Sequence, residues 1–263
     1  MVDPAEAIGK AREAVSQRAE LPGMSLMEHL EELRRRIVHS AVYLCLGFVV
    51  AYVFHERLYG FVQEPLEKLH IKLNYTHPMD PLNLYLQVSL IGGAILASPF
   101  ILYQVWLFIA PGLYQKERRF VVPFMGATVG LFLMGASFGY FWVLPGALKI
   151  LIVDFGKSFN PMVTIEEYTG FFLSVILGLG ISFELPVLIF FLALFGIVSP
   201  RFLWKNIRYA ILAVFLVAAI ITPSPDPWTM CIYAIPVLLL YLVGIGVAWY
   251  VHPSRRKARE ATS

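Results

Sequence analysis

The sequence predicts an all-α integral membrane protein with six transmembrane helices and both termini on the cytoplasmic side. Three observations carry that prediction. Of 263 residues, 58% are hydrophobic and only 15% charged, with a mean hydropathy of +0.69. Soluble domains hold about 45–50% apolar and about 25% charged residues. Apolar runs long enough for a membrane helix recur along the whole chain. Lys and Arg are distributed unevenly: of 21, six precede the first run, three lie at 116–119, three at 201–208 and four after residue 251, leaving five in the alternate segments. Positive charge collects on the cytoplasmic side of membrane proteins, so this bias sets the orientation. The net charge of +3 carries no such information.

Residues 1–23 form a polar extension ending at Pro22-Gly23, residues 24–251 the membrane domain, and residues 252–263 a basic cytoplasmic tail. Ser25 to Arg36 is expected as a short amphipathic helix. Ser25 and Glu28 form a capping box, and Leu26, Leu30, Leu33 and Ile37 recur as one apolar stripe. Glu31–Arg35 and Glu32–Arg36 fall at i,i+4 on the polar side. The first span is expected over Ile37 to Phe54. A basic triplet before an apolar run resembles a cleavable signal peptide, but the run is too long and no small-residue cleavage site follows.

Residues 55–81 are expected as an outside loop, broken by Pro65, Pro78 and Pro81. The second span covers Leu82 to Ile109, with a kink at Pro99. Tyr103, Trp106 and Phe108 near its end suit an aromatic belt at headgroup level, ahead of the cluster Lys116, Glu117, Arg118 and Arg119. The third span covers Phe120 to Leu144, residues 145–167 form a second outside loop, and the fourth span covers Tyr168 to Phe195. The fifth, Tyr209 to Thr222, has 14 residues and is short for a hydrocarbon core of about 30 Å. The sixth covers Trp228 to Val251, so a short hairpin beside longer, tilted spans should thin the bilayer locally. Cys45 and Cys231 lie inside apolar runs without ligand spacing and read as small core residues. No internal repeat is visible, unlike inverted-repeat transporters.

Few groups carry candidate chemistry. Glu28, Glu31, Glu32 and Glu117 are acids set in a basic cytoplasmic face. They could pair internally or dock a foreign cation; two adjacent arginines would match two carboxylates bidentately. Glu184 is a carboxylate inside the fourth span, where charge is costly and function is the default hypothesis. A hydrogen bond to Ser182 or to a carbonyl freed by Pro186 is its structural alternative. Asp226 lies in the last outer turn, where an Asx turn is as good a reading as a function. No nucleophile–base pair, metal-ligand spacing or nucleotide loop is present. No catalytic residue, cofactor, metal or nucleic acid is expected.

Five ordered motifs then resemble the TatC family, the multispanning receptor of the twin-arginine protein translocase. They are His29-Leu-Glu-Glu-Leu-Arg34, Ser98-Pro-Phe-Ile-Leu-Tyr-Gln-Val-Trp106, Phe108 to Arg119, Phe183-Glu-Leu-Pro186 and Thr222-Pro-Ser-Pro-Asp226. The resemblance implies a concave, glove-like bundle with short fifth and sixth spans in the bacterial cytoplasmic membrane. It implies binding of twin-arginine signal peptides of folded precursors, with Glu32 and Glu117 as contact acids and Arg34 and Phe108 beside them. It places the family's intramembrane Glu on Glu184, a third-span Tyr on Tyr140, an outer-loop Pro on Pro65 and an outer-turn Asp on Asp226. It implies single-span TatA and TatB proteins as partners, self-association in a larger complex, and transport drawing on the proton-motive force without an ATPase. Gln87 and Met230 depart from the common pattern, which has Lys and Gln there. A proton-coupled small-solute transporter centred on Glu184 and an intramembrane enzyme are the rival readings.

Overall fold

The computed structural model describes residues 26–109, 121–222 and 226–251. Helix α1 (Leu26–Val53) is one rod of 28 residues. The expected amphipathic helix and first span are therefore continuous, because neither Gly nor Pro interrupts the chain between residues 26 and 46. Ser25, the expected cap, lies outside the described residues. Leu30 and Ile37 of the apolar stripe are exposed among the described residues, and Leu33 is half-buried.

After a turn at Phe54 comes α2 (His55–Glu67), an amphipathic helix where a loop was expected. Helix α3 (Asp80–Ile109) runs back along α1 without a break at Pro99. Pro99 cannot donate to the Ile95 carbonyl four residues earlier, and the Ser98 hydroxyl donates to it instead at 2.7 Å. The two helices form an antiparallel zipper. His29 stacks on Phe108 and Tyr43 on Phe100, and beyond the turn His55 of α2 meets Tyr85 edge-on. At its centre the backbones nearly touch: a Cβ on Gly47 would lie 2.5 Å from the Gly93 carbonyl oxygen, and one on Gly93 2.5 Å from the Phe48 nitrogen. Small residues at a membrane helix crossing permit this approach.

Helix α4 (Val121–Phe138) continues through a π turn (Gly139–Val143), a short α stretch (Leu144–Leu148) and a second π turn (Lys149–Asp154). The third span thus reaches ten residues past the expected end at Leu144. Pro145 withholds the donor for the Phe141 carbonyl, and the helix widens there instead of stopping. The fourth span, expected as one helix, is two: α5 (Ile165–Ser182) and α6 (Leu185–Leu194). Pro186 cannot satisfy the Ser182 carbonyl, and the break falls at Phe183-Glu184. Helix α7 (Pro200–Lys205) fills the expected inner loop. Helices α8 (Ile207–Ile221) and α9 (Pro227–Val251) complete the chain.

Among the described residues, five segments are long and apolar enough to cross a membrane: Met27–Val53, Asp80–Phe108, Phe124–Asp154, Ile165–Leu194 and Pro227–Val251. Helix α8 has 15 residues, about 22 Å of rise, and confirms the short hairpin arm. Among the described residues the only β pairing is a bridge between Asn74 and Thr164, which joins the two expected outer loops.

Helix α5 is the hub of the core, with Tyr168, Phe172, Val175 and Leu179 buried against α3, α4 and α9. Trp106, expected at the headgroup belt, is buried instead. It meets Phe191 edge-on and its indole donates to the Thr128 hydroxyl at 3.2 Å. An indole can enter a core once its N–H has a partner. Cys45 and Cys231 are free thiols but not core residues: Cys45 is exposed and Cys231 half-buried.

Gly93→Ala should lower the midpoint of thermal unfolding in detergent, at a cost of about 1–3 kcal/mol from overpacking. Gly60→Ala, where nothing lies within 4 Å of an added Cβ, should leave the midpoint unchanged or raise it.

Candidate functional site

The zipper places one polar cluster where α1 begins and α3 ends. Glu32 and Arg36, one turn apart on α1, pair through Oε1 and Nη2 at 3.1 Å. The other nitrogen of that guanidinium, Nη1, donates to Gln104 Oε1 on α3 at 3.2 Å. Gln104 is almost fully buried. One turn beyond, the Phe108 ring stacks on His29 with centroids 4.5 Å apart. Of the two expected i,i+4 pairs, only Glu32–Arg36 closes among the described residues.

The pairing is incomplete. Glu32 Oε2 and Arg36 Nε are both buried and have no partner. A depression of about 270 Å³ beside them is lined by Glu28, Glu31, Glu32, Arg35 and Arg36. Arg34 is exposed and, two residues from Glu32, lies on the opposite side of α1. The structure therefore brings Glu32 and Phe108 together and leaves Arg34 apart. Glu117 lies outside the described residues. Arg36 was visible in the sequence only as a salt-bridge partner. Gln104 stood in the sequence only as one residue of the second motif, and its partner was not legible because the contact spans 68 residues.

Glu184 sits at the break between α5 and α6. Its backbone N–H donates to the Ile181 carbonyl at 3.0 Å, and its own carbonyl accepts from the Leu188 N–H at 2.9 Å. Its Oε1 is buried without a partner. The Ser182 hydroxyl, expected as its partner, bonds the Tyr233 hydroxyl of α9 at 3.0 Å instead.

At the opposite end of the bundle, two positions singled out separately prove to be one device. Pro65 lies inside α2 and cannot donate to the Phe61 carbonyl. Tyr140, in the π turn of the third span, donates its hydroxyl to that carbonyl at 2.9 Å and to Glu64 Oε2 at 3.1 Å. Its ring stacks on Phe61 at 3.9 Å. The Tyr168 hydroxyl takes the adjacent Val62 carbonyl at 2.6 Å. The Lys68 ammonium, and then the Tyr140 hydroxyl, hold Glu64 below the usual carboxylate range. That contribution is present at neutral pH and is lost as pH falls through the lowered value.

Asp226 is the N-cap of α9. Its Oδ1 accepts from the N–H groups of Trp228 at 3.1 Å and Thr229 at 2.9 Å, and the Thr229 hydroxyl bonds its Oδ2. Pro227 follows at the first helical position, where the missing donor costs nothing. Of the two departures, Gln87 lines a polar depression of about 220 Å³ with Asp80, His77 and Glu166, and Met230 packs against the core.

A bundle of membrane-length helices with a polar cluster at one helix end and a carboxylate inside a span defines a polytopic membrane protein. Comparison with known proteins narrows the class. Residues 28–236 match the family model described as Sec-independent protein translocase protein (TatC). The chain is 55% identical to the Sec-independent protein translocase protein TatC of Koribacter versatilis over 99% of its own length and 96% of that protein. It is 38% identical to the TatC of Aquifex aeolicus, over 90% of this chain and all of that one. A crystal structure of the twin-arginine translocase receptor TatC superposes with a TM-score of 0.78 at 36% identity, covering 85% of this chain and 99% of the other. The chain belongs to the TatC family of protein translocase subunits.

Two outcomes test the local chemistry. Tyr140→Phe leaves the Phe61 carbonyl without its donor and should cost about 1–3 kcal/mol in thermal or denaturant unfolding. In a Pro65→Ala background the restored N–H at position 65 takes over, and the same substitution should cost clearly less. Asp226→Ala removes a helix cap and should cost about 0.5–2 kcal/mol, while Asp226→Asn should cost little.

Proposed function

We propose that this chain is the signal-peptide receptor and core subunit of a twin-arginine translocase, spanning the bacterial cytoplasmic membrane six times with both termini inside. The observation that carries the reading is the half-satisfied carboxylate of Glu32, held beside Phe108 at the end of the α1–α3 zipper. A buried acceptor with a free lone-pair side suits a planar, two-pronged guanidinium better than an ammonium. Glu117 supplies the second carboxylate for the second arginine, and Arg34 reaches the peptide from the outer side of α1. The Lys and Arg bias supports the orientation. The sixth crossing is α8, which spans only where the bilayer is thin.

Glu184 acts as a polar anchor for a polar group of a partner helix or of the inserted signal segment, and its unpartnered Oε1 supports this. The partners are TatA and TatB, docking near α8 and α9, whose outward faces are apolar, with exposed Leu212, Leu216, Ile220 and Leu239. Copies of the chain associate with these partners in a larger complex, and the proton-motive force drives transport. Tyr140, Pro65 and Asp226 shape the outer side.

Solubilised protein should bind a twin-arginine signal peptide more tightly than the same peptide carrying Lys-Lys. Glu32→Ala and Glu117→Ala should each weaken the Arg-Arg peptide, the second by about 1.5–3 kcal/mol, the scale of a hydrogen bond to a charged group. Equal binding of both peptides, untouched by either substitution, would sink the receptor reading and favour a small-solute transporter centred on Glu184.

A further inference from the structure

We infer that Arg36 is a built-in competitor for Glu32: a resident guanidinium that occupies the carboxylate until the arginine of a peptide displaces it onto Gln104. The inference rests on the receptor reading above and deepens it.

Three features of the cluster point this way. The pair uses one oxygen and one nitrogen, Oε1 and Nη2 at 3.1 Å, where a guanidinium and a carboxylate can make two parallel bonds. Both unused halves, Glu32 Oε2 and Arg36 Nε, are buried without partners. An ion pair that served packing alone would satisfy these groups, because a buried charged atom left unpaired is costly. The pair therefore sits above its best geometry and is replaceable. Arg36 also has a second holder, since its Nη1 already donates to Gln104 Oε1 on α3. When an incoming guanidinium engages both oxygens of Glu32, Arg36 keeps that bond and can turn toward the depression lined by Glu28 and Glu31. One guanidinium replaces another, the charge on Glu32 is never left bare, and the net gain on binding is small. Arg36 thereby caps the affinity of the receptor for its ligand.

The test is titration of a fluorescent Arg-Arg signal peptide, and its Lys-Lys counterpart, onto the solubilised full chain at physiological ionic strength. Competition makes an unusual prediction about sign. Removing a cation that touches Glu32 should tighten binding: Arg36→Gln should lower the Kd for the Arg-Arg peptide about tenfold, equivalent to 1.4 kcal/mol. Gln104→Leu, which withdraws the group that holds Arg36 once it is displaced, should shift the Kd the opposite way and weaken binding. The Arg36→Gln gain should vanish when combined with Glu32→Gln. Arg35→Gln deletes the same charge from the same depression without touching Glu32, and should change the Kd less than about twofold. Weaker binding in Arg36→Gln would overturn the inference and make Arg36 a residue that positions Glu32. An equal gain in Arg35→Gln would also overturn it, by reducing the effect to the general field of the basic face. The wild-type preference for Arg-Arg over Lys-Lys reports separately on the receptor reading. Its absence from both the wild type and Arg36→Gln overturns both.

Discussion

Inside a bilayer no water is available to hydrogen-bond a stray carbonyl, and this constraint organises the molecule more than any apolar contact does. The chain has 17 prolines, several of them within helices, and each removes the donor for a carbonyl one turn earlier. At four of them the structure answers in different ways. At Pro99 the neighbouring Ser98 hydroxyl steps in, and the helix stays straight enough to continue. At Pro145 the helix widens into π turns. At Pro186 it breaks, and the break is where Glu184 is set. At Pro65, in the connecting helix α2, the donor comes from the third span, as Tyr140 reaches the Phe61 carbonyl. The same defect thus yields a plain helix, a bulge, a polar site or a tertiary contact, depending on which hydroxyl is near.

The polar cluster at the start of α1 follows from packing rather than from charge. Glycines 47 and 93 let α1 and α3 approach until their backbones meet, and the register set there fixes what faces what a few turns away. Arg36 meets Gln104 and His29 meets Phe108 because the helices are antiparallel and in that register. Long amphipathic side chains then bridge from an apolar interface to a polar rim. A ligand site at this end inherits its rigidity from a crossing several turns away.

Much of this was legible in the sequence. Hydropathy and charge bias located all the apolar segments, because the bilayer imposes length and composition directly. Motif order gave the family. Helix ends were less legible: α2 was hidden because Pro65 reads as a breaker unless its freed carbonyl has a donor, and that donor lies 79 residues away. Trp106 looked like a belt residue because composition cannot show that Thr128 would accept its N–H. Asp226 was ambiguous between turn and function, and its three hydrogen bonds to α9 identify a helix cap. For Glu32 the sequence offered both an internal pair and a docking role. The geometry shows the pair and leaves one oxygen unused.

The bridge between Asn74 and Thr164 bears on the order of assembly. The Asn74 N–H donates to the Val163 carbonyl and the Ile165 N–H to the Asn74 carbonyl, both at 2.9 Å, joining points about 90 residues apart. The α1–α3 zipper needs only residues that leave the ribosome early, and its contacts are close in sequence near the Phe54 turn. The bridge cannot close until α4 and the chain leading into α5 are in place beside the first hairpin. Loop closure over such a separation is slow and follows local pairing. The bridge thus ties the first helical hairpin to the second, so that the α2–α3 connection and the start of α5 hold each other in place.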